Sequence, residues 1–397
     1  MKIGLFTDTY IPQANGVATS VEGLARSLEA RGHTVTIIAP QSPGYKDKKK
    51  NVIRLRSIKV YKNPELRLAS FVPERKLIQI TQKEFDIIHG FGWGTITSFG
   101  LGLSKVKGIP FVATYNTRLN HYTHYFFKGR VIKPWMMEKA AGMLSNRCDC
   151  VIVPAQMIKK ELQSFGVKKP IVVLPNGVDT TLYKTQKEGF LRKRLHIPRK
   201  YKILLYVGRL EKEKSIDFLL KAFVSIHKKV PAAVFVLVGD GSEKKKLMTL
   251  AKRLDIEKYV YFAGVIATKN IPKVYHDAEL FLFSSRTETQ GMVVSEALAA
   301  GLPVVAVRDA VFTNVIIDGV NGVLMEKNIP AFAKQVISLM HDEKRRHQMT
   351  KAALEMAQRY SLDVTAQAFE NVYNQMINSK EEGEKISIEK LFRDYLS

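Results

Sequence analysis

Short apolar runs punctuate this chain, and most are followed by a glycine-bearing turn and a stretch of helical periodicity. In the first half they are residues 1–8 (MKIGLFTD), 34–39, 87–88 with His89, 111–114, 151–154 and 172–175. In the second half they are 202–207, 235–238, 260–264 and 280–283. Runs this short, bounded by Gly and Pro, predict strands buried on both faces, as in parallel sheets. Between the first two, apolar residues at helical spacing predict a helix from about Val17 to Arg31, ended by Gly32. A strand–helix–strand unit of this kind crosses over right-handed. The fold class read from this pattern is α/β, as two Rossmann-like, doubly wound domains. Residues 45–83 break the pattern: they read as basic and irregular, with KDKKK at 46–50 as a solvated loop.

A chain of 397 residues suits two domains of ordinary size. At 46% hydrophobic and 25% charged it reads as globular. No apolar run reaches the ~18 residues that cross a bilayer, and the N-terminus has no signal-peptide pattern. Cys148 and Cys150 read as reduced core thiols beside a buried strand. A cytoplasmic protein is expected. The net charge of +25 changes the picture, because it is uneven. Residues 1–175 hold 27 Lys/Arg against 11 Asp/Glu, and the remainder 35 against 26. Such a surface attracts anionic lipid or nucleic acid, and charge alone does not separate the two.

Candidate chemistry concentrates in 284–305, SSRTETQGMVVSEALAAGLPVV. The order predicts a buried strand, a tight turn at Thr289-Gln290-Gly291, and a helix from about Gly291 to Ala300. A helix start carries unpaired amides and a partial positive charge, which suits phosphate. Were helical geometry to hold throughout, Glu288 and Glu296 would stand ~12 Å apart along the axis. That is beyond the roughly 5–9.5 Å of a glycosidase pair, so the two would grip the ends of something long, such as a nucleotide sugar. Arg209 and Lys214 stand on the turn after strand 202–207, where open α/β sheets bind ligands; their fork and point charge suit a diphosphate. Pairing of Lys212 and Lys214 with Glu211 and Glu213 at the surface is an alternative. Gly16, in the turn after the first strand, lets backbone approach a ligand. No G-x-G-x-x-G follows that strand, which disfavours a dehydrogenase.

The Glu288–seven–Glu296 element resembles the signature of retaining glycosyltransferases of family four, which have the two-domain GT-B fold with domains facing across a cleft. TETQG is similar to the form found in diacylglycerol glucosyltransferases. The resemblance implies that Glu288 contacts the donor hexose, Glu296 the ribose, and Arg209 with Lys214 the diphosphate. It further implies donor contacts from Gly16, Thr289, Gln290 and Gly291, with the nucleobase near Val265. Domains implied are 1–174 for the acceptor, 175–358 for the nucleotide sugar, a helix 359–378 crossing back, and a charged amphipathic tail 379–397. The activity implied is retaining transfer of glucose from UDP-glucose, without cofactor or required metal, to a membrane lipid such as 1,2-diacylglycerol. Where the family has a catalytic histidine, this chain has Asn116, which hydrogen-bonds but takes up no proton at neutral pH. Either Asn116 positions the hexose, or His121 or His124 enters the site.

Residues 122–139 interleave aromatics and cations: Tyr122, Tyr125, Phe126, Phe127 and Trp135 among Lys128, Arg130 and Lys133. This describes an interfacial membrane segment, a single-strand nucleic acid groove, or a core helix with a basic outer face. The neighbouring donor-type motifs favour an anionic membrane surface over nucleic acid, and with it a peripheral place on the inner face of the cell membrane. Other readings stay open: the same fold with another acceptor, such as a glycolipid, phosphatidylinositol or soluble sugar, or a nucleotide-sugar binder without turnover.

Overall fold

The computed structural model describes residues 1–13, 15–47, 49–60, 63–70, 75–118, 133–184 and 189–382. By its contacts the chain divides into two units: Met1–Gly177 with the helix that begins at Leu362, and Val178–Ser361.

Unit 1 runs β1 (Lys2–Thr7), α1 (Gly16–Ala30), β2 (Thr34–Pro40), β3 (Val52–Leu55), β4 (Ser57–Val60), β5 (Asn63–Ala69), α2 (Arg75–Gln82) and β6 (Ile87–Phe91). It continues with α3 (Thr95–Lys107), β7 (Phe111–Thr114), α4 (Pro134–Ser145), β8 (Cys150–Val153), α5 (Gln156–Ser164) and β9 (Ile171–Val173). Seven parallel strands form one sheet in the order β3-β2-β1-β6-β7-β8-β9, and β4 pairs β5 as a separate antiparallel ribbon. The apolar runs fill both faces of this sheet, which is why they carry no alternation.

Residues 45–83 are the main correction to the sequence reading. They hold β3, β4, β5 and α2. Arg54 hid the first of these, because a charge at a core position breaks the apolar run. The Arg54 guanidinium is buried and satisfied: it donates to both oxygens of Asp47, at 3.0 and 2.7 Å, and to the Pro40 carbonyl at 2.9 Å. Nor is 46–50 uniformly solvated, since Asp47 holds Arg54 and the Lys49 ammonium lies 2.9 Å from Glu22.

Unit 2 begins with α6 (Thr180–Tyr183) and α7 (Phe190–Leu195), followed by β10 (Lys202–Val207), α8 (Ile216–Lys229), β11 (Ala233–Val238), α9 (Lys244–Arg253), β12 (Val260–Gly264) and α10 (Ile271–His276). Then come β13 (Leu280–Phe283), α11 (Met292–Ala299), β14 (Val304–Val307), β15 (Gly322–Met325), α12 (Ile329–His341) and α13 (Glu343–Gln358). Its six parallel strands are ordered β12-β11-β10-β13-β14-β15. The last helix, α14 (Leu362–Glu381), returns to unit 1, where Phe369, Val372, Tyr373 and Met376 join the core of Ile3, Leu5 and Ile37. His89 on β6 fixes this docking. Its ring nitrogens meet the hydroxyls of Tyr373 and Thr114, each at 2.6 Å, and complete burial lowers its pKa to about 3. Cys148 and Cys150 are free, buried thiols whose pKa values burial raises, that of Cys150 to about 12. Among the described residues no helix is long and apolar enough to cross a membrane.

Candidate active site

Each sheet reverses its winding once, and open α/β sheets bind ligands outside the carboxyl ends of the strands at that point. In unit 2 the reversal lies between β10 and β13, which pair directly. The loops that follow these two strands carry Arg209 with Lys214, and Glu288 with Gln290 and Gly291.

The β10 loop is held by backbone. The Gly208 amide donates to Val238 O at 2.9 Å, the Leu210 amide to Asp240 O at 2.9 Å, and the Gly239 amide to Gly264 O at 2.9 Å. A Cβ on Gly239 would stand 2.0 Å from the Gly208 oxygen, so this crossing needs glycine. A short 3-10 turn, Lys212–Lys214, then aims the Lys214 side chain inward, where it is buried. The hydroxyl of buried Ser284 fixes that turn by donating to the carbonyls of Lys214 and Ser215.

Lys214 Nζ lies 2.5 Å from Glu288 Oε1. Burial pushes the Glu288 carboxyl upward, but the Lys214 ammonium, hydrogen bonds from Lys214 and Ser285, and the charge of Arg209 outweigh it and hold the pKa below the usual range. Glu288 is therefore an ionised acceptor at neutral pH, suited to sugar hydroxyls. Arg209 stays one-third exposed and reaches the buried Glu213 carboxylate at 3.2 Å. In place of the surface pairing weighed for Lys214, its ammonium turns inward to Glu288, and Glu213 meets Arg209.

α11 begins at Met292, not at Glu288. Gly291 precedes it in the left-handed region (φ +77°), and no side chain caps the helix start. The two glutamates thus do not share one helix, which corrects the ~12 Å spacing drawn from uniform helical geometry. Glu296 sits mid-helix, with its Oε2 accepting from the Tyr275 hydroxyl at 2.7 Å. Burial raises its pKa to about 7, partly opposed by that hydrogen bond. Gln290 is buried, Thr289 half-buried, and Val265 60% exposed just beyond Gly264.

Gly16 and Asn116 belong to unit 1. Gly16 opens α1, whose start is capped by the Asn15 side chain accepting from Ala18 N at 2.9 Å. The Asn116 side-chain oxygen is 3.5 Å from the amide nitrogen of Asn176, whose own oxygen accepts from Ser20 at 2.8 Å. Lys133 and Trp135 are exposed at the start of α4, Trp135 by 58%. Tyr122, Tyr125, Phe126, Phe127, Lys128 and Arg130, with His121 and His124, lie outside the described residues, as does the tail from 383. Sequence reasoning missed Tyr275 and Asp8. Asp8 is buried at the end of β1 and accepts from the amides of Gly94, Ile96 and Thr97 at 3.0, 2.8 and 3.3 Å. Among the described residues no group of three His, Cys, Asp or Glu is placed to hold a metal ion.

Residues 187–356 match the family model described as glycosyl transferases group 1, and 14–182 that of Glycosyltransferase Family 4. Alpha-monoglucosyldiacylglycerol synthase of Acholeplasma laidlawii is 31% identical over 398 residues, spanning 95% of this chain and 98% of that protein. The chain belongs to family four of the glycosyltransferases. This glycosyltransferase is also 34% identical to the synthase of the same name from Streptococcus pneumoniae, over 82% of the chain and 75% of that protein. Its fold is GT-B. The Anabaena protein HepE, solved in complex with UDP-glucose, superposes with a TM-score of 0.75 at 21% identity, covering 94% of the glycosyltransferase and 99% of HepE. Sucrose-phosphate synthase from Thermosynechococcus elongatus gives 0.76 at 20% identity over 96% and 100%. In a glycosyltransferase, two cations beside an ionised carboxylate at one switch point offer a place for a leaving diphosphate and a sugar together.

Proposed function

We propose that this enzyme transfers glucose from UDP-glucose, with retention, to a membrane lipid, 1,2-diacylglycerol foremost, giving alpha-monoglucosyldiacylglycerol. The observation that carries the reading is the Lys214–Glu288 pair beside Arg209 at the switch point of unit 2, in a chain similar throughout to proteins named for that product. Glu288 would accept from hexose hydroxyls and Glu296 from the ribose, with Thr289, Gln290 and Gly291 nearby and the base against Val265. Lys214 and Arg209 would neutralise the charge growing on the leaving diphosphate; such stabilisation is worth several kcal/mol of barrier, on the order of 3–4. Asn116 would orient the hexose by hydrogen bonding, since an amide transfers no proton.

The acceptor places the enzyme peripherally on the cytoplasmic face of a membrane. Exposed Trp135 and Lys133 support this, together with the excess of cations in residues 1–175. The test is mass spectrometry of lipids after incubation with UDP-glucose, UDP-galactose or UDP-N-acetylglucosamine and mixed liposomes. A hexosyl-diacylglycerol formed from UDP-glucose supports the reading. Hexose appearing only on phosphatidylinositol, on a glycolipid or on a soluble sugar overturns the acceptor, and a different preferred nucleotide overturns the donor.

A further inference from the structure

We infer that Tyr275 is a positioning residue for the donor: its hydroxyl holds one carboxylate oxygen of Glu296 so that the other is presented to a ribose hydroxyl. This rests on the reading of Glu296 as a donor contact. Tyr275 lies on α10, fully buried, with its ring against Tyr183 at 5.9 Å and Phe281 at 5.8 Å between centroids. Its hydroxyl is 2.7 Å from Glu296 Oε2 and 3.3 Å from the Val293 carbonyl one turn back on α11. Glu296 Oε1 has no partner among the described residues. A carboxylate on a helix can turn about its terminal torsions, and an arm with one oxygen tied binds a diol with less ordering cost than a free one.

The arm also has its own support. α6 supplies Tyr183 behind Tyr275, and His276, next to Tyr275, approaches the Tyr183 carbonyl at 2.8 Å. The titratable groups facing Glu296 are Tyr275 from α10 and Tyr183 from α6, with Asp179 near the latter. The flanking strands β13 and β14 are wholly apolar and buried, and α13 packs with Met349 and Ala353. Among the described residues no cation offsets the burial of Glu296, and the Tyr275 hydrogen bond is what favours its ionised form.

The experiment is calorimetric titration of the full chain with UDP at pH 5.5, 7.5 and 8.5, each variant expressed as a ratio to wild type so that titration of UDP cancels. Tyr275→Phe keeps the ring and removes one oxygen. It should weaken binding roughly 10–100-fold at pH 7.5, the loss of one hydrogen bond to a charged group, and less at pH 5.5, where Glu296 is protonated in both proteins. Glu296→Gln should match wild type at pH 5.5 and fall behind as pH rises. A Tyr275→Phe loss that is the same at every pH, or no loss, overturns the positioning role while leaving Glu296 as a donor contact. Wild-type binding by Glu296→Gln at all three values overturns the reading beneath it. Should Tyr275→Phe not fold, 3-fluorotyrosine at 275, a stronger donor, must extend tight binding to lower pH, and an unmoved profile overturns the inference.

Discussion

The switch points of the two units have the same topology and different electrostatics. In unit 1, β1 lies between β2 and β6, and the helix starting beyond β6 is α3. Its N-terminus is already occupied by a carboxyl group of the protein: Asp8 takes three amides and the Thr97 hydroxyl at 3.0 Å, bonds that oppose the upward pKa shift imposed by burial. The carboxylate fits because residue 94 is glycine; a Cβ there would stand 2.3 Å from Asp8 Cγ. In unit 2 the corresponding helix, α11, begins at Met292 after Gly291 with no side-chain cap, and the nearby charges are the cations Lys214 and Arg209, paired with Glu288 and Glu213. One helix start is satisfied by a carboxyl group of the protein, while the other has no side-chain cap and lies by two cations, each paired with a carboxylate. In the function proposed above, donor phosphates would have a physical reason to choose the second.

Removing Lys214 tests that contrast most severely. Lys214→Ala should lower kcat/KM for the donor by about 10²–10³, measured as UDP release, because a preorganised cation is lost where charge develops. It also leaves Glu288 buried without its counter-charge, so its pKa should rise. Folded variant with near-normal turnover would mean that Lys214 serves only the fold. On the other side of the comparison, Asp8→Ala strips the acceptor from three amides. Loss of a cap together with orphaned donors should cost roughly 2–3 kcal/mol in the urea unfolding of the full chain. An unchanged midpoint would show that α3 needs no internal anion and that the two switch points do not differ as described.

Most central strands, and the loops that carry Arg209, Lys214 and Glu288, were legible because both depend on local signals. Apolar runs ending in Gly-Arg or Ser-Ser mark the sheet edge where Arg209 and Glu288 must lie. Asp8 was not legible as a cap, since its three donors are more than eighty residues away in sequence. Tyr275 is hidden for the same reason at shorter range: it reads as one apolar position of a short helix, and only the packing of α10 on α11 brings it to Glu296. Arg54 misled in the other direction, because its buried pairing with Asp47 makes a strand look like a basic loop. The inward turn of Lys214, rather than Lys212, depends on Ser284 holding its carbonyl, which spacing does not reveal.

Arg209 should matter less than Lys214. It remains one-third exposed, and its charge is shared with Glu213. Arg209→Ala is expected to lower donor kcat/KM by about 10–100-fold, and Arg209→Lys to recover part of that loss, since a point charge replaces the fork. Equal losses for Arg209→Ala and Lys214→Ala would indicate that exposure does not set their ranking.

The smallest effect concerns stability and falls on α11 itself. Glu296 and Glu288 belong to one motif, yet their folded pKa values move in opposite directions. For Glu288 the folded value is lowered, so its contribution is present above the unfolded pKa and is lost as pH falls through the folded one. For Glu296 the folded value is about 7 against an ordinary 4.5, so the folded state binds the proton more tightly. Its contribution is full below about pH 4.5 and is lost as pH rises through 7. Gln mimics the protonated form and never ionises. Glu296→Gln should therefore melt with wild type at pH 4 and be more stable at pH 8, by on the order of 2 kcal/mol after local relaxation. Calorimetric melting without nucleotide at the two pH values measures this. The same sign at both, or a loss at pH 8, would mean that a cation reaches Glu296 in solution, and the open switch point would then hold two compensated carboxylates instead of one.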